Sequence, residues 1–503
     1  MNAPLRRVGV VVMILFGLLF LNLNWIQAYK ADEYRTSDYN GRVQVAEYDR
    51  KRGNIEAGGT PVATSKETNG SLKYLRTYPG GEKYAHVLGY KPVNLGDTGI
   101  ERAEDDFLAG TSDQLFADRF RDMLRITGEP SGGGNVLLSV SKRAQDTAFT
   151  QLANNRKGAT RGAAIALDPR TGAIQALVSM PSFDPNPLAS HNGGEASAAY
   201  NKLEGDPNGP LKNRALGETL PPGSTFKIVV AAAALENGVT KETAIPAGPS
   251  YTAPTSGTPI RNAAPSICPE DEVTLMNAVT ESCNTGFAKL GVRLGADTIK
   301  EKARQFGFEQ EDLTVGHLDE AGLPVAASRT GDMKNPDGGD DPAGLAQSSI
   351  GQFDVRMTPL QGALIAAAVA NNGSQMRPYL VQQLLGPDRT TNYYTADPKQ
   401  LRQPVSGQVA NDLRDMMVNV VREGTGRSAQ IDGYTVGGKT GTAQAGENTD
   451  DHGWFIGFAL DKDGKPVSAV CVMLESVGDG GSAEAARIAG QIMRAAIQDP
   501  GGR

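Results

Sequence analysis

The stretch from Ile228 to Leu235 constrains this chain more than any other, because it is apolar on every side of a helix. Such a helix is stable in water only when neighbouring elements cover all of its faces, so it belongs at the centre of a packed domain. Ser224 and Lys227 come just before this run, three residues apart, and therefore share one face of the first helical turn. A lysine inside the first turn of a buried helix is costly unless it has a function.

Ser224 and Lys227 are candidates for a nucleophile and its base. Burial and the positive end of the helix dipole both disfavour an ammonium ion, so we expect a lowered pKa for Lys227. A neutral amine beside a hydroxyl can act as a general base for a serine nucleophile. The alternative is that Ser224 caps the helix and Lys227 is solvated. A second serine and lysine at this spacing, Ser139 and Lys142, shows that the pair alone is weak evidence.

Two later motifs supply the groups that such a pair would need. Ser282, Cys283 and Asn284 interrupt a helical pattern, where Ser282 can relay a proton and Asn284 can both donate to and accept from a substrate amide. The alternative for this motif is a polar turn or a helix cap. Lys439, Thr440, Gly441 and Thr442 lie on a predicted strand, where the lysine and the threonines can face a carboxylate.

Glycines surround the lysine and threonine motif. Gly437 and Gly438 precede it and Gly441 interrupts it, so a peptide substrate could lie close against this strand. The alternative is an edge strand with a solvated lysine. The three motifs in this order, S-x-x-K, S-x-N and K-T-G, match the signature of penicillin-binding proteins and class A β-lactamases, with Cys283 in the middle position of the second motif.

Periodicity in the rest of the chain predicts an α+β fold. A hairpin, a helical middle, three late strands and a closing helix indicate an antiparallel five-stranded sheet sandwiched by helices. Turn residues at Ser131 to Gly134 predict a domain boundary. We therefore expect a cytoplasmic tip and membrane anchor at 1–28, a β-rich membrane-proximal domain at 29–134 and a catalytic domain at 135–503. The acidic run Glu104 to Asp106 is interpreted as a solvated helix face.

Charge and composition narrow the function and the location. Net charge is −7 with no long basic block, so no nucleic-acid partner is expected. The three cysteines and four histidines lack the spacing of a zinc site. Arg6 and Arg7 precede an apolar run that starts at Val8 and continues to Ile26, which predicts an uncleaved membrane anchor with the remaining chain outside the cell.

Together these residues resemble the class B penicillin-binding proteins, the monofunctional D,D-transpeptidases of bacterial cell walls. The resemblance also covers Arg52 to Ile55, Gly99 to Glu101, Asp168 to Gly172, Pro181 to Asn186 and Trp454 to Gly457. The Ser-Cys-Asn motif and the compact length look most like the actinobacterial penicillin-binding protein A group. The resemblance implies the serine transpeptidase and β-lactamase fold, with an all-helical subdomain that carries Ser282 to Asn284.

The resemblance also implies a role for each motif residue. Ser224 would attack the bond between the terminal D-alanines of a peptidoglycan stem peptide, and β-lactams would acylate the same serine. Lys227 would accept the serine proton, while Ser282 and Lys439 would pass a proton to the leaving amine. Asn284 would orient the peptide, and Thr440, Gly441 and Thr442 would bind its terminal carboxylate. The backbone N–H groups of Ser224 and Thr442 would form the oxyanion hole.

Other consequences of the resemblance concern partners and alternatives. No metal or organic cofactor is expected, and a polytopic membrane glycosyltransferase of wall synthesis, serving cell division or cell shape, is the expected partner. Cys268 and Cys283 could form a disulfide in an exported domain, or remain two thiols. A D,D-carboxypeptidase, a β-lactamase of the same fold and a wall-synthesis scaffold with little catalysis are the alternative functions.

Overall fold

The computed structural model describes residues 2–30, 48–116, 132–320, 322–444, 446 and 449–499. Residues 31–47 and 117–131 of the predicted membrane-proximal domain lie outside the described residues. The two larger sheets of the protein contain the strands β1 (Ile55–Ala57), β2 (Thr60–Glu67), β3 (Tyr74–Thr77), β4 (Asn135–Leu138), β5 (Gly162–Leu167), β6 (Ile174–Met180), β7 (Val381–Leu385), β8 (Asn392–Thr395), β9 (Thr435–Ala443), β10 (His452–Leu460) and β11 (Pro466–Leu474).

Ten helices, numbered in chain order, make up most of the helical structure. They are α1 (Asn2–Asn24), α2 (Lys142–Ala153), α3 (Gly193–Glu204), α4 (Lys227–Glu236), α5 (Leu275–Thr280), α6 (Asn284–Leu294), α7 (Ala296–Phe306), α8 (Pro359–Ala370), α9 (Gly407–Arg422) and α10 (Gly481–Gln498). Shorter helices cover Ala85–Leu88, Gly99–Ala103, Asp105–Ala109, Arg214–Gly217 and Pro342–Ser348.

The central sheet has five antiparallel strands in the order β9, β10, β11, β5, β6. Every residue of β5, β6 and β10 is buried, because these strands are apolar towards both faces. Helix α8 covers one face, while α2 and α10 cover the other. The predicted antiparallel sheet sandwiched by helices is confirmed, and β9 lies at its edge.

Helix α4 lies at the centre of the helical layer, as its sequence requires. Each residue from Lys227 to Ala234 is buried, and the helix packs against α6, α7 and α9. The subdomain around Ser282 was expected to be all-helical; it is mainly helical, but it also carries two short ribbons. They pair Ala244–Pro246 with Glu272–Thr274 and Ser250–Tyr251 with Ile260–Arg261.

A six-stranded sheet links the predicted membrane-proximal and catalytic domains. Its order is β8, β7, β4, β1, β2, β3, and β4 pairs parallel with β1 and antiparallel with β7. The sheet therefore combines strands from both sides of the predicted boundary at residue 134. The division into three domains stays a proposal.

Only Asp106 of the acidic run Glu104 to Asp106 is exposed to solvent. Glu104 is only 4% exposed, and burial raises the pKa of this carboxyl to about 8. Asp105 pairs with Arg52 at 2.8 Å and with Lys91 at 3.0 Å. The interpretation as a solvated face was wrong for Glu104 and Asp105, because acidic composition alone does not reveal tertiary burial or basic partners supplied by distant segments.

Helix α1 fits the predicted membrane anchor. Within the described part of the chain, the segment Arg6–Tyr29 is the one helical stretch long and apolar enough to cross a membrane, with a mean hydropathy of 2.2 over its most apolar window. None of that window is buried against the rest of the protein. Its apolar surface is therefore available to lipid.

Candidate active site

Ser224 lies on a tight turn that places it against the edge strand of the central sheet. The turn covers Gly223–Phe226 and leads directly into α4. Gly223 has φ +54°, and a Cβ on it would lie 2.3 Å from the carbonyl oxygen of Thr442. The Gly223 N–H also donates to Gly351 O at 2.9 Å. Only glycine permits this approach, so the serine is held close to the Thr442 peptide unit on β9.

Lys227 is fully buried and its amine faces the second motif. The Nζ atom donates to Ser282 O and to Asn284 Oδ1, both at 2.8 Å, and lies 3.3 Å from Ser282 Oγ. Burial lowers the pKa of Lys227 to about 7. A neutral amine has two N–H bonds, which these two close acceptors can take, and the nitrogen lone pair then stays available for a proton.

Lys439 is the second buried amine of the site. Its Nζ donates to Ser282 Oγ at 2.9 Å and to Thr440 O at 3.1 Å. Burial, together with the nearby charge of Lys227, holds the pKa of Lys439 well below its ordinary value. The Ser282 hydroxyl therefore lies between two amines whose charged forms are both disfavoured, which suits a proton relay.

The second motif lies in the bend between α5 and α6. Ser282 has φ +64°, a left-handed conformation that is uncommon for a residue with a side chain and marks local strain. Asn284 begins α6, and its Nδ2 donates to Arg261 O at 2.9 Å while its Oδ1 faces Lys227. Both ends of the Asn284 amide are therefore fixed in this arrangement.

The third motif lies on the edge strand β9, and the hydroxyl of Thr425 contacts it. Thr440 Oγ1 is hydrogen-bonded to Thr425 Oγ1, and the Thr442 hydroxyl lies 3.5 Å from Ser482 Oγ. Thr425 was not predicted from the sequence. It lies in the turn after α9, between Gly424 and Gly426, and nothing in that local pattern points to Thr440.

The glycines of β9 allow close packing within the protein, while the expected approach of a peptide substrate to this strand stays a prediction. A Cβ on Gly437 would meet the Phe458 ring at 2.3 Å, and one on Gly438 would meet the Phe455 ring at 2.2 Å. A Cβ on Gly441 would lie 2.5 Å from Pro222 O, in the serine turn. These residues lack side chains because the sheet and the serine turn pack against them.

Cys268 and Cys283 are both buried next to the second motif, and both are free thiols in this structure. A hydrogen bond from the Cys268 thiol lowers the pKa of Cys283. The two sulfur atoms are neighbours, and a disulfide between them stays a prediction. Counting thiols before and after reduction of the purified protein tests it.

Among the described residues, no cluster of His, Cys, Asp and Glu side chains could hold a metal ion.

The structure thus brings Ser224, Lys227, Ser282, Asn284 and the Lys439 strand together from separate parts of the chain. The other serine and lysine pair is used differently. Ser139 Oγ donates to Ile174 O at 2.9 Å inside the fold, and Lys142 pairs with Asp146 at 2.9 Å on the surface. The spacing of serine and lysine alone does not distinguish these two sites.

Comparison with known proteins agrees with this geometry. Residues 162–494 match the family model of the penicillin binding protein transpeptidase domain, and residues 52–136 match that of the penicillin binding protein A dimerisation domain. The chain is 42% identical over 501 residues to the peptidoglycan D,D-transpeptidase PbpA of Mycolicibacterium smegmatis, covering 99% of this chain and 98% of that protein. It is 41% identical over 502 residues to PbpA of Mycobacterium tuberculosis, covering 99% of each.

A solved structure gives the same relationship at the level of the fold. Penicillin-binding protein A from M. tuberculosis, as a ceftriaxone acyl-enzyme complex, superposes with a TM-score of 0.83 at 40% identity, covering 90% of this chain and 100% of that one. A penicillin G acyl-enzyme of the same M. tuberculosis protein superposes with a TM-score of 0.81. The chain therefore belongs to the class B penicillin-binding proteins, the family of serine D,D-transpeptidases.

Proposed function

We propose that this protein is a peptidoglycan D,D-transpeptidase that joins stem peptides through an acyl-enzyme on Ser224. The observation that carries the proposal is the buried amine of Lys227, held by Ser282 O and Asn284 Oδ1 one helical turn from Ser224. The relatives named as peptidoglycan D,D-transpeptidases support the reaction, and the acyl-enzyme structures of the M. tuberculosis protein support the covalent intermediate.

In the first step, Ser224 Oγ attacks the carbonyl carbon between the two terminal D-alanines. Lys227 takes the serine proton, and a bond from Oγ to carbon forms. As the C–N bond breaks, a proton passes through Ser282 and Lys439 to the nitrogen of the departing D-alanine. The Ser224 and Thr442 backbone N–H groups stabilise the oxyanion, and such a donor is typically worth about 3 to 4 kcal/mol.

In the second step, the amine of a neighbouring stem peptide attacks the acyl-enzyme carbonyl. The amine loses one proton to Lys227 as the new amide forms. The bond to Ser224 then breaks, and a proton returns to Oγ. Thr440 and Thr442 hold the donor carboxylate in the first step, and Asn284 orients the donor peptide. β-Lactams undergo only the first step. Their amide is part of a ring, so the amine stays attached to the acyl group and does not depart from the site.

The membrane location follows from α1. We propose a single-pass anchor with the amino terminus in the cytoplasm and the catalytic domain outside, supported by Arg6 and Arg7 ahead of the apolar run. Residues 6–29 are exposed on all sides, which leaves surface for lipid and for a partner helix, and we propose a polytopic glycosyltransferase of wall synthesis as that partner.

The test is a reconstitution with the purified full-length chain, a lipid-linked precursor of defined composition and a glycan polymerase. We expect crosslinked muropeptides together with an equal amount of released D-alanine. Release of D-alanine without crosslinks would instead identify a D,D-carboxypeptidase. Rapid turnover of a chromogenic cephalosporin would identify a β-lactamase, and no reaction at all would favour a scaffold.

A further inference from the structure

Helix α6 carries Asn284 at its first position, and its own cap is weak. The residue in the capping position is Cys283, whose sulfur, a weak acceptor, faces the Gly286 N–H and makes no hydrogen bond to the N–H groups of Asn284 and Thr285. Helices normally begin with a side chain that accepts one of these N–H bonds, because they have no partner inside the helix. A buried helix start therefore needs an acceptor from elsewhere.

Asn262, far upstream in the chain, provides that acceptor. Its Oδ1 accepts from the Asn284 N–H at 2.8 Å and from the Thr285 N–H at 3.1 Å. The capping group thus comes from the segment that follows the short strand Ile260–Arg261. The residue before it, Arg261, accepts from Asn284 Nδ2 through its carbonyl oxygen at 2.9 Å.

The other end of the Asn262 side chain is fixed to backbone carbonyl groups on both sides of it in the chain. Its Nδ2 donates to Gly248 O at 3.1 Å and to Ile267 O at 2.8 Å. The amide cannot rotate without losing bonds at both ends, since one end only accepts and the other only donates. Arg261 and Asn262 therefore hold Asn284 by its backbone and by its side chain, which leaves Asn284 Oδ1 directed at Lys227.

We propose that Asn262 is a positioning residue for acylation, which sets the place and orientation of Asn284 and, through it, of the Lys227 amine. This inference rests on the proposed function of Ser224 and Lys227. Asn262 does not touch the reacting atoms, so its loss should slow the covalent step more than it weakens ligand binding. Displacing a catalytic group by about 1 Å can cost roughly a hundredfold in rate.

The experiment measures acylation of the full-length protein in detergent by a fluorescent penicillin. Stopped-flow traces over a range of penicillin concentrations separate the dissociation constant from the first-order acylation constant. For Asn262→Ala we expect the acylation constant to fall at least about tenfold while the dissociation constant stays within about twofold. An acylation constant equal to that of the wild type would overturn the proposal.

Asn155→Ala is the matched control. Asn155 also spans a turn, with Nδ2 donating to Leu152 O and Ala159 O, both at 2.8 Å, and Oδ1 accepting from Ala159 N–H at 2.8 Å. This variant should lose stability without losing acylation rate. If it slows acylation as much as Asn262→Ala does, general destabilisation explains both and the positioning role is wrong.

Asn262→Asp separates the two ends of the side chain. The carboxylate keeps an acceptor for Asn284 and Thr285 at a helix start, where negative charge is favourable, but it cannot donate to Gly248 or Ile267. We expect its acylation constant to stay within about threefold of the wild type, and a tenfold loss in a folded Asn262→Asp protein would contradict the role assigned to the acceptor end.

If Asn262→Ala does not fold, Asn262→Ser replaces it. Its side chain is shorter than that of asparagine and cannot reach both N–H groups, so the same loss of rate is expected. An unchanged acylation constant would overturn the proposal. Ser224→Ala keeps the two hypotheses apart, because labelling that survives this change refutes the proposed nucleophile rather than the role of Asn262.

Discussion

Lys227 is the residue on which the proposed chemistry depends, and its environment explains how it can act as a base. Among the described residues, its hydrogen-bond partners are a backbone carbonyl and an amide oxygen at 2.8 Å and a hydroxyl farther away, and none of them is a carboxylate. Neutral acceptors do not compensate the charge of a buried ammonium ion as a carboxylate would, so burial dominates. The neutral amine is therefore well populated near neutral pH.

The acylation rate should follow the protonation of this amine. With the pKa of Lys227 at about 7, the base is lost as the pH falls below that value, so the rate constant for penicillin acylation should drop about tenfold per pH unit on the acid side. Above roughly pH 8 it should level off. Acylation rates measured from roughly pH 5 to pH 10 check this. A rate that keeps rising up to pH 10 would instead indicate a lysine of ordinary pKa.

Thr425 illustrates how a neighbouring hydroxyl can direct a ligand contact. When Thr425 donates to Thr440 Oγ1, the proton of Thr440 is free to point at a carboxylate in the cleft. Thr425→Val removes this donor at nearly constant volume. The dissociation constant for penicillin should rise about fivefold with little change in the acylation constant, since a hydrogen bond is worth about 1 kcal/mol.

Thr425→Ser is the control for that prediction, because it keeps the hydroxyl and should bind penicillin like the wild type. Equal affinity in Thr425→Val and the wild type would contradict the role given to the hydroxyl pair.

At the scale of elements, the site depends on the close approach of the serine turn and the edge strand β9. Gly223 lies against Thr442, Gly351 lies against Gly223, and Gly441 lies against Pro222. These contacts fix the serine relative to the Thr442 backbone, where the oxyanion hole is proposed. Backbone contacts of this kind tolerate no added side chain.

Gly223→Ala should therefore disable the site. The added Cβ meets Thr442 O at 2.3 Å in a left-handed conformation, so we expect a stability loss of about 1 to 3 kcal/mol and an acylation rate at least a hundredfold lower. Thermal unfolding and penicillin labelling measure the two effects. Gly217→Ala is the control, because nothing lies within 4 Å of its added Cβ. Wild-type acylation in Gly223→Ala would contradict the packing argument.

The elements were largely predictable because their periodicity is strong. The strand pattern of Val467 to Leu474 and the helical pattern of Ala485 to Ile497 reappear in β11 and α10 with small shifts at their ends. The short ribbons before α5 were not predictable, since each has only two or three residues per strand. Asn262 directly follows one of these strands, and sequence patterns miss it because its partners include backbone groups set by tertiary packing.

At the scale of the whole molecule, the order of three motifs along the chain predicts a single site, and the structure brings them together. What sequence patterns do not predict is how the remaining segments share sheets. Strand β7 comes from the late part of the chain, yet it pairs with β4 in the sheet that also contains β1 to β3. Register between such distant strands depends on packing rather than on local pattern.

That shared sheet has a consequence for how the molecule works. Strands from the membrane-proximal region and from the catalytic region lie in one hydrogen-bonded unit, and Arg389 forms an ion pair with the buried carboxylate of Glu56 across it. The two regions are joined by more than a covalent linker. Residues 55–77, 135–138 and 381–395 therefore keep a defined position relative to one another through this sheet.

Covalent labelling of the full-length protein tests most directly whether Ser224 is the acylated nucleophile. We predict that a fluorescent penicillin labels the wild type, that mass spectrometry of the digested protein finds the adduct on Ser224, and that Ser224→Ala abolishes the label. Ser139→Ala, which alters the serine of the other S-x-x-K pair, should be labelled like the wild type. Labelling that persists in Ser224→Ala, or an adduct on a different residue, would contradict the assignment of Ser224 as the acylated nucleophile.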